Sequence, residues 1–318
     1  GHPRAPAAAT CPGATAVAGW PGEIALASAR WDVPGVPAGS VAVADGVVSP
    51  GIFGRAYFAG ACANGTYDPR EYVAMPLLGK ALSWTVDLSA AGCGCNAALY
   101  LTSLHQSTSA SACEDYYCDA NHVCGLSCAE IDLQEANMFA WHSTLHVSDD
   151  GSGSGVGYGG GGANWNHNRD WTSAEYGPGG SCVDTTRPFQ VAVSFPVGPE
   201  GRLAGLDLLL SQAGRECTLA RSHREYPFRG RDGMSELSDA LAAGMTPIIS
   251  YWKAGDMTWM DGRGQDGRGP CDKDESYAQC GPSVHFSDFA LSDIQARRLR
   301  EQRPRPGGPG ASLPDPDL

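Results

Sequence analysis

Three observations predict that this chain of 318 residues folds as an all-β protein, an antiparallel sandwich of two packed sheets. Glycine and proline number 42 and 22, a content that favours a loop-rich β protein over a helical bundle. Segments of strand length recur along the chain, and turn-forming residues separate them. Only one segment has the pattern of a helix.

Eight segments have the residue pattern of a β-strand. Their apolar residues either alternate with polar ones, as in a strand buried on one face, or run on, as in a strand buried on both. Gly, Pro, Asn and Asp cluster between them and mark the turns. In chain order the segments are RAYFAG, KALSWTVDLS, NAALYLTSL, AEIDLQE, FQVAVSF, LDLLLSQ, PIISYW and SVHFSDFAL.

The helix is predicted over DGMSELSDALAAGM. Asp232 or Ser235 can cap its first turn, and Gly244 can end it. Its apolar residues recur at helical spacing and share one face. That face consists of Met234, Leu237 and Leu241.

Residues 1–295 are predicted to form a single sandwich domain. The tail 296–318 is rich in Pro, Gly and charge, which is typical of a linker or disordered end. The segment 151–162 contains a literal GxGxxG at Gly155, Gly157 and Gly160. No predicted strand leads into this segment and no helix follows it, so it lacks the framework that cradles a phosphate and is predicted to be a flexible surface loop.

The charge of the chain restricts its partners. A formal net charge of −13 argues against nucleic acid or an anionic membrane and favours a neutral polymer or a small molecule. No apolar run reaches the length of a membrane span, and no signal peptide is recognisable. The chain is expected to be a monomer.

The cysteines indicate the cellular compartment. There are twelve, an even number, and their spacing does not match paired zinc knuckles. Disulfides that staple long loops are therefore favoured over metal binding, and the protein is predicted to be secreted. The cysteines are Cys11, Cys62, Cys93, Cys95, Cys113, Cys118, Cys124, Cys128, Cys182, Cys217, Cys271 and Cys280.

Three carboxylates are crowded into the segment AEIDLQE. Glu130 and Asp132 project from the same face of a strand, and one extra residue at a β-bulge near Leu133 or Gln134 would bring Glu135 to that face. The Cα atoms of the two glutamates would then lie about 13 Å apart, at ~3.3 Å per residue. Each side chain reaches about 3.5–4 Å, which leaves a carboxyl separation close to the ~5–5.5 Å of retaining glycosidases.

This arrangement predicts separate roles for the three acids. Glu130 would be the ionised nucleophile, oriented by Asp132. Glu135 would be the general acid and later the base, with a pKa raised by partial burial and by adjacent negative charge. A solvated strand or a set of calcium-binding carboxylates would also fit the spacing.

The segment AEIDLQEAN resembles the E-x-D-x-W-E-A-N signature of glycoside hydrolase family 7, the family of cellobiohydrolases and endoglucanases. Further segments are similar to motifs of that family in the same order, from about residue 50 to residue 294. They are CGCNAALYLTSL, YGPGGSCVDTTRPFQVAVSF, MSELSDALAAGMTPIISYWKAGDMTWMDG, GRGPC and SVHFSDFALSDI.

The resemblance implies a concanavalin-like β-sandwich, or jelly roll, with a glycan-binding cleft on its concave sheet, and retaining hydrolysis of β-1,4-glucan. It places Glu130 as nucleophile, Asp132 as its partner, Glu135 as acid/base and His146 beside the acid/base. Aromatic side chains would stack on the apolar faces of sugar rings. The substrate-binding residues that it implies are Trp252, Trp259, Arg268, Arg169, Tyr100, Asn96 and Asp119.

The resemblance further implies Cys93–Cys271 and Cys118–Cys128 bridges. No cofactor is expected, because two acids and a water suffice for the reaction. The partner would be a β-glucan polysaccharide or oligosaccharide.

The departures from the family pattern concern the cleft. Gln134 replaces a tryptophan, which alters either the packing behind the strand or contacts at the cleaved bond, and Lys253 is placed near a sugar site. The segment between Cys118 and Glu130 is short, so an open cleft and endo-action are predicted. A β-1,3/1,4-glucanase of the same mechanism and a non-catalytic lectin-like protein are the alternatives.

Overall fold

The structure is a computed structural model that describes residues 9–29, 38–159, 170–263, 271 and 279–294. The predicted domain boundary at residue 295 and the tail 296–318 lie outside these residues. No described helix is long and apolar enough to cross a membrane.

Most of the described chain is β-strand, and the elements are numbered in chain order. The strands are β1 (Thr10–Ala16), β2 (Glu23–Ser28), β3 (Val41–Ala44), β4 (Val47–Pro50), β5 (Gly54–Ala59), β6 (Lys80–Asp87), β7 (Cys95–Thr102), β8 (Glu130–Ala136), β9 (Trp141–His146), β10 (Ser154–Tyr158), β11 (Tyr176–Gly177), β12 (Val183–Asp184), β13 (Phe189–Ser194), β14 (Leu206–Ser211), β15 (Leu219–His223), β16 (Pro227–Phe228), β17 (Arg231–Asp232), β18 (Thr246–Lys253) and β19 (His285–Asp293). The helices are α1 (Gly233–Ala243) and α2 (Thr258–Asp261).

The strands form two large sheets, in which every pairing of neighbours is antiparallel. The front sheet has eight strands in the order β1-β2-β5-β18-β7-β8-β9-β10. The back sheet has seven, in the order β15-β14-β13-β6-β19-β4-β3. Apolar side chains from both sheets form one buried core between them, which includes Trp84 of β6 and Leu133 of β8. The predicted antiparallel sandwich is therefore confirmed.

All eight predicted strands are present, and the predicted helix is α1. The Asp232 side chain accepts a hydrogen bond from the Met234 backbone N–H, so Asp232 rather than Ser235 is the N-cap. Gly244 ends the helix with a φ of 90°, a conformation that favours glycine. The three residues of the predicted apolar face are buried.

The prediction of a flexible loop over 151–162 is wrong for its middle part, because residues 154–158 form β10 and pair with β9. A side chain at Gly157 would lie 2.1 Å from the Trp141 carbonyl oxygen, so only glycine allows the two strands to approach this closely. The Gly-rich sequence thus serves strand packing. Gly160 lies outside the described residues.

The predicted β-bulge is present in β8. Gln134 pairs with Leu99 of β7 while Asp132 pairs with Tyr100, so Leu133 is the extra residue. Leu133 and Gln134 are both completely buried. Trp84 Nε1 donates to Gln134 Oε1 at 2.9 Å, and Gln134 Nε2 donates to the Ala97 carbonyl at 3.0 Å. Gln134 therefore changes the packing behind the strand, the first of the two effects considered for it.

All twelve cysteines form disulfides, which confirms the preference for bridges over metal ligands. The implied pairs Cys93–Cys271 and Cys118–Cys128 are both present. Cys124, whose partner the sequence left open, is bonded to Cys113. The remaining bridges are Cys11–Cys62, Cys95–Cys280 and Cys182–Cys217.

Replacing Gln134 by Met tests the anchor of the bulge. The substitution keeps the side-chain volume but leaves the buried Trp84 N–H without its acceptor, so we expect the free energy of unfolding to fall by about 1–3 kcal/mol. Urea denaturation of Gln134→Met, Trp84→Phe and the double variant gives the coupling between the two residues. A coupling of zero would contradict the anchoring role.

Candidate active site

A cleft of about 830 Å³ lies on the outer face of the front sheet. Its floor comes from five neighbouring strands, β5, β18, β7, β8 and β9. The floor residues are Arg55, Ser250, Ala98, Tyr100, Glu130, Asp132, Glu135, Thr144 and His146. The cleft therefore crosses the strands near the middle of the sheet.

The three predicted acids all line this cleft. Glu130 and Asp132 alternate with the core residue Ile131, as the period of a strand requires. The bulge places two consecutive residues in the core and thereby returns Glu135 to the cleft side. Ala98 lies opposite Glu135 on β7 and also lines the cleft.

One wall of the cleft begins where β7 ends, at the Glu130 end of β8. The segment 103–129, stapled by Cys113–Cys124 and Cys118–Cys128, packs here. The Ala120 backbone N–H donates to Glu130 Oε2 at 3.1 Å. Asp119 also lines the wall, and its carboxylate accepts from the Val123 N–H at 3.0 Å. Two short disulfide loops thus fix the donor that faces Glu130.

Beneath this wall a buried group of charged and aromatic residues supports Tyr100. The Tyr100 and Tyr117 hydroxyls are 3.1 Å apart. The Arg55 guanidinium lies 3.9 Å from the centre of the Tyr117 ring, a cation–π contact. Asp115 accepts from the Tyr57 hydroxyl at 2.6 Å and lies 3.8 Å from Arg55.

The opposite wall carries the two tryptophans. Trp252, at the end of β18, and Trp259, on α2, both line the cleft with Lys253 and Asp256. Buried hydrogen bonds hold α2 in place. Asp261 Oδ2 accepts from the Gly94 N–H and from Asn137 Nδ2, each at 2.7 Å, and His142 Nε2 donates to the Met260 carbonyl at 2.6 Å. These bonds position Trp259 relative to β8 and β9.

Asn96 orients Glu135 from below. Its Nδ2 donates to Glu135 Oε1 at 2.8 Å, and its Oδ1 accepts from the Ala136 N–H at 3.2 Å. Asn96 is completely buried and does not line the cleft. The structure therefore shows Asn96 as a support for Glu135, and its role in binding substrate stays a prediction.

His146 contacts Asp132, with Nε2 3.0 Å from Asp132 Oδ2. On the neighbouring strand, His146 pairs in register with Glu130, whereas Glu135 pairs with His142. The sequence placed His146 beside the acid/base. The structure brings it into contact with Asp132 at the Glu130 end of the strand, and His146 also acts on Glu135, whose pKa it lowers.

Burial and mutual repulsion raise the pKa values of all three acids. Desolvation is the main cause for each. It raises the pKa of Glu135 to about 8, with a further contribution from the charge of Asp132. The pKa of Asp132 rises to about 8, again through burial and then through the charge of Asp119.

The pKa of Glu130 is also raised well above its ordinary value, by burial first and then by the charge of Asp132. His146 and the Ala120 N–H act in the opposite direction and favour the ionised form. The expected raised pKa of Glu135 agrees with the structure. The sequence predicted an ionised Glu130, and in the structure that ionisation depends on these two compensating groups.

The structure places most of the predicted substrate-binding residues together. Tyr100, Asp119, Trp252 and Trp259 line the cleft, as does Lys253. Arg169 and Arg268 lie outside the described residues, and their assignments stay predictions.

Sequence reasoning missed several residues of the site. Arg55 is the one charged residue of an otherwise apolar strand segment, a signal that could have singled it out. Tyr117 precedes Cys118 of a short disulfide loop, which places it close to Tyr100. Asp149, Asp150 and Arg229 line the cleft from loops, and no pattern in the sequence indicates their position.

Two groups of three potential metal ligands occur among the described residues, and neither includes the cleft carboxylates. They are Cys93, Asp261 and Cys271, and Cys113, Asp115 and Cys124. The two cysteines of each group are bonded to each other, so their sulfurs are not thiolate ligands.

The fold and the site together define a β-sandwich protein with an acid-lined cleft on one sheet. No family model matches the chain. It is 27% identical to "Endoglucanase 1" of Pyricularia oryzae over 281 residues, which cover 70% of this chain and 66% of that protein. It is 28% identical to "Endoglucanase type C" of Fusarium oxysporum over 285 residues, 71% of this chain and 65% of that protein. The matches thus span just under two thirds of these relatives.

Among solved structures, the chain is similar to a family 7 cellobiohydrolase from Daphnia pulex, with a TM-score of 0.61 and 17% identity. The superposition covers 92% of this chain and 98% of that one, so the two share the fold. The sequence matches to endoglucanases and this shared fold both agree with the resemblance to glycoside hydrolase family 7.

Replacing Glu135 by Gln should make the protein more stable at high pH. The folded pKa of about 8 lies above the ordinary value of 4.5, so the unfolded chain releases this proton first and stability falls as pH rises through this window. The variant has no carboxyl group at this position and therefore does not lose stability as pH rises. We expect its free energy of unfolding to exceed that of the parent by about 1–3 kcal/mol at pH 8 and to match it near pH 4.

Urea denaturation at both pH values measures this difference. Asp256→Asn makes the same chemical change at an exposed position of the same cleft and is the matched control. A Glu135→Gln variant that is equally stable at pH 8 would show that the carboxyl group is not held protonated in the folded state.

Proposed function

We propose that this protein is a secreted retaining endo-β-1,4-glucan hydrolase of the cellulase type. The observation that carries the proposal is the bulge in β8, which brings Glu130 and Glu135 to one side of the strand inside a cleft. The endoglucanase names of its sequence relatives, one of them a "Probable endo-beta-1,4-glucanase celB" of Aspergillus fumigatus, favour a β-1,4-glucan as substrate. Secretion is supported by the six disulfides, which persist in oxidising compartments.

In the first step Glu135 donates its proton to the glycosidic oxygen, and a Glu130 carboxylate oxygen attacks the anomeric carbon. The bond from that carbon to the leaving oxygen breaks, and a glycosyl ester of Glu130 forms. A pKa of about 8 keeps Glu135 protonated at neutral pH, as a general acid requires. Asn96 holds the carboxyl group in place through Oε1.

In the second step the Glu135 carboxylate removes a proton from water, and the water oxygen attacks the anomeric carbon. The ester bond breaks, Glu130 leaves as a carboxylate, and Glu135 is again protonated. Two inversions at the same carbon retain its configuration. The Ala120 N–H stabilises the carboxylate of Glu130 before the first step and after the second.

The two tryptophans provide apolar surfaces for the substrate. Trp252 and Trp259 are both partly exposed on the wall near Glu135, where pyranose rings can stack on them. The opposite wall consists of short stapled loops. An open cleft of this kind admits an internal stretch of a polymer, which supports endo-action, and a monomer suffices because one chain supplies both glutamates.

Glu130→Gln and Glu135→Gln test the assignment on carboxymethylcellulose, lichenan and laminarin. We expect the parent to release reducing ends from the first two, and each variant to lose at least about 100-fold in rate, because a nucleophile or a general acid is removed. Glu130→Gln should still bind cello-oligosaccharides in calorimetry. ¹H NMR of early products should show the β-anomer.

Each alternative predicts a different result. Cleavage of laminarin in preference to carboxymethylcellulose would indicate a β-1,3-containing substrate, and binding without cleavage of any polymer would indicate a lectin. An α-anomer as the first product would rule out the retaining mechanism. A Glu135→Gln variant as active as the parent would show that another group is the acid.

The pH profile tests the role of Asn96. We expect kcat/KM to fall as pH rises through about 8, when Glu135 loses its proton. The hydrogen bond from Asn96 stabilises the ionised form and lowers the pKa of Glu135. Asn96→Ala should therefore move the alkaline limb to higher pH.

Asn64→Ala, which removes a side-chain amide from an exposed position, is the control and should leave the limb unchanged. A limb that moves to lower pH in Asn96→Ala would contradict the assignment of Glu135 as the acid.

A further inference from the structure

The turn that follows β9, residues 147–153, encloses His146. The Asp150 backbone N–H donates to the Val147 carbonyl at 3.0 Å, which closes the turn. The Asp150 carbonyl oxygen then lies 2.7 Å from His146 Nδ1. Gly153 has a φ of 67°, and a side chain there would lie 2.5 Å from His146 Cε1. The turn therefore fits closely around the imidazole ring.

Tyr226 anchors this turn from a distant part of the chain. Its hydroxyl donates to Asp150 Oδ2 at 2.5 Å and accepts from the Val147 N–H at 3.0 Å. The residue is buried and belongs to the core between the sheets. Gly233 packs against the Tyr226 ring, where a side chain would lie 2.5 Å from Cδ1. The first residue of the turn, Val147, and its middle residue, Asp150, are thus both tied to one hydroxyl group.

The partners of His146 determine how many protons it shares with Asp132. A carbonyl oxygen only accepts hydrogen bonds, so Nδ1 must carry a proton to bond with Asp150. Nε2 then bonds to Asp132 Oδ2 at 3.0 Å only if one further proton lies between them. Whichever atom holds that proton, the Asp132–His146 pair has no net charge.

The opposite tautomer would leave a negative charge beside the nucleophile. With its only proton on Nε2, His146 would bond to an ionised Asp132, and the pair would carry one negative charge. Such a charge next to Glu130 would oppose ionisation of the nucleophile. The position of the Asp150 carbonyl excludes this state, because a bare Nδ1 would face an oxygen lone pair.

We propose that Tyr226 is a positioning residue which, through Asp150, holds Nδ1 of His146 protonated and so keeps the Asp132–His146 pair neutral beside Glu130. The inference rests on the proposed function for its catalytic consequence, but the tautomer itself is a property of the folded protein. It adds two residues, from the β9 turn and from the segment before β16, to the machinery of the site.

The other charged groups around the pair make its neutrality important. Most of those that line the cleft near it are acidic, so a further negative charge would meet little compensation. They are Glu130 on β8, Asp119 on the stapled wall, Asp149 and Asp150 on the turn, Glu135 beyond the bulge, and Arg229 of the loop between β16 and β17. Arg229 is engaged with Asp149, at 3.9 Å.

The experiment compares the full chain with its Tyr226→Phe variant. In protein labelled with ¹⁵N-histidine, the signals of His146, assigned by their loss in His146→Gln, should show a protonated Nδ1 in the parent at neutral pH. In Tyr226→Phe the turn loses its anchor, and we expect a population with Nδ1 deprotonated. The acid limb of kcat/KM should move to higher pH, with kcat/KM at pH 5 falling about five- to tenfold and less than about twofold at the optimum.

Tyr251→Phe is the matched control, since it also removes one hydroxyl group. That hydroxyl lies on the core side of the front sheet and donates to the Ala90 carbonyl. It should change neither the His146 signals nor the acid limb. If Tyr226→Phe does not fold, Asp150→Ala removes the same anchor and keeps the backbone carbonyl, and the readout is then the Nδ1 signal of His146, because this variant also removes a negative charge.

Two results would overturn the proposal. One is a deprotonated Nδ1 in the parent, and the other is a variant in which neither the tautomer nor the acid limb changes. An inactive parent with a protonated Nδ1 that is lost in Tyr226→Phe would refute the proposed function alone.

Discussion

One extra residue in β8 is the constraint on which the site depends. In a regular strand Glu135 would point into the core, opposite to Glu130 and Asp132. The bulge is held because Leu133 and Gln134 are both buried and because Gln134 bonds to Trp84 of the back sheet and to the Ala97 carbonyl. The distance between the two glutamates is therefore fixed by contacts in the core, on the side of the strand away from substrate.

The second constraint is electrostatic, since buried carboxylates close together resist ionisation. The site answers with neutral donors for the two glutamates, the Ala120 N–H for Glu130 and Asn96 for Glu135, while Asp132 shares a proton with His146. The same burial helps the general acid, which must stay protonated, and hinders the nucleophile, which must ionise. Environment alone can thus give different roles to chemically similar groups.

The sequence predicted the sandwich, eight of its strands, helix α1 and the bulge, because strand period and the spacing of the acids indicate them. It could not decide whether the Gln134 side chain faces the core or the cleft, since either residue of a bulge can face the core. It also missed β10, because glycine has a low preference for strands and only the close approach to Trp141 explains Gly157. Tyr226 escaped detection because 76 residues separate it from Asp150, and no local pattern reveals such a contact.

The stability of the fold and the chemistry of the cleft are consequently difficult to separate in this protein. Trp84, Gln134 and Tyr226 are buried in the core. Trp84 bonds to Gln134 of the bulge and Tyr226 bonds to Asp150 of the β9 turn, two segments that position residues of the cleft. A change in packing between the sheets would therefore reach the acids through the bulge or through the β9 turn. The stapled wall is different, because its disulfides fix the segment around Ala120 independently of the core. Loss of the Cys118–Cys128 bridge should thus loosen the donor to Glu130 while leaving Glu135 and its Asn96 support in place.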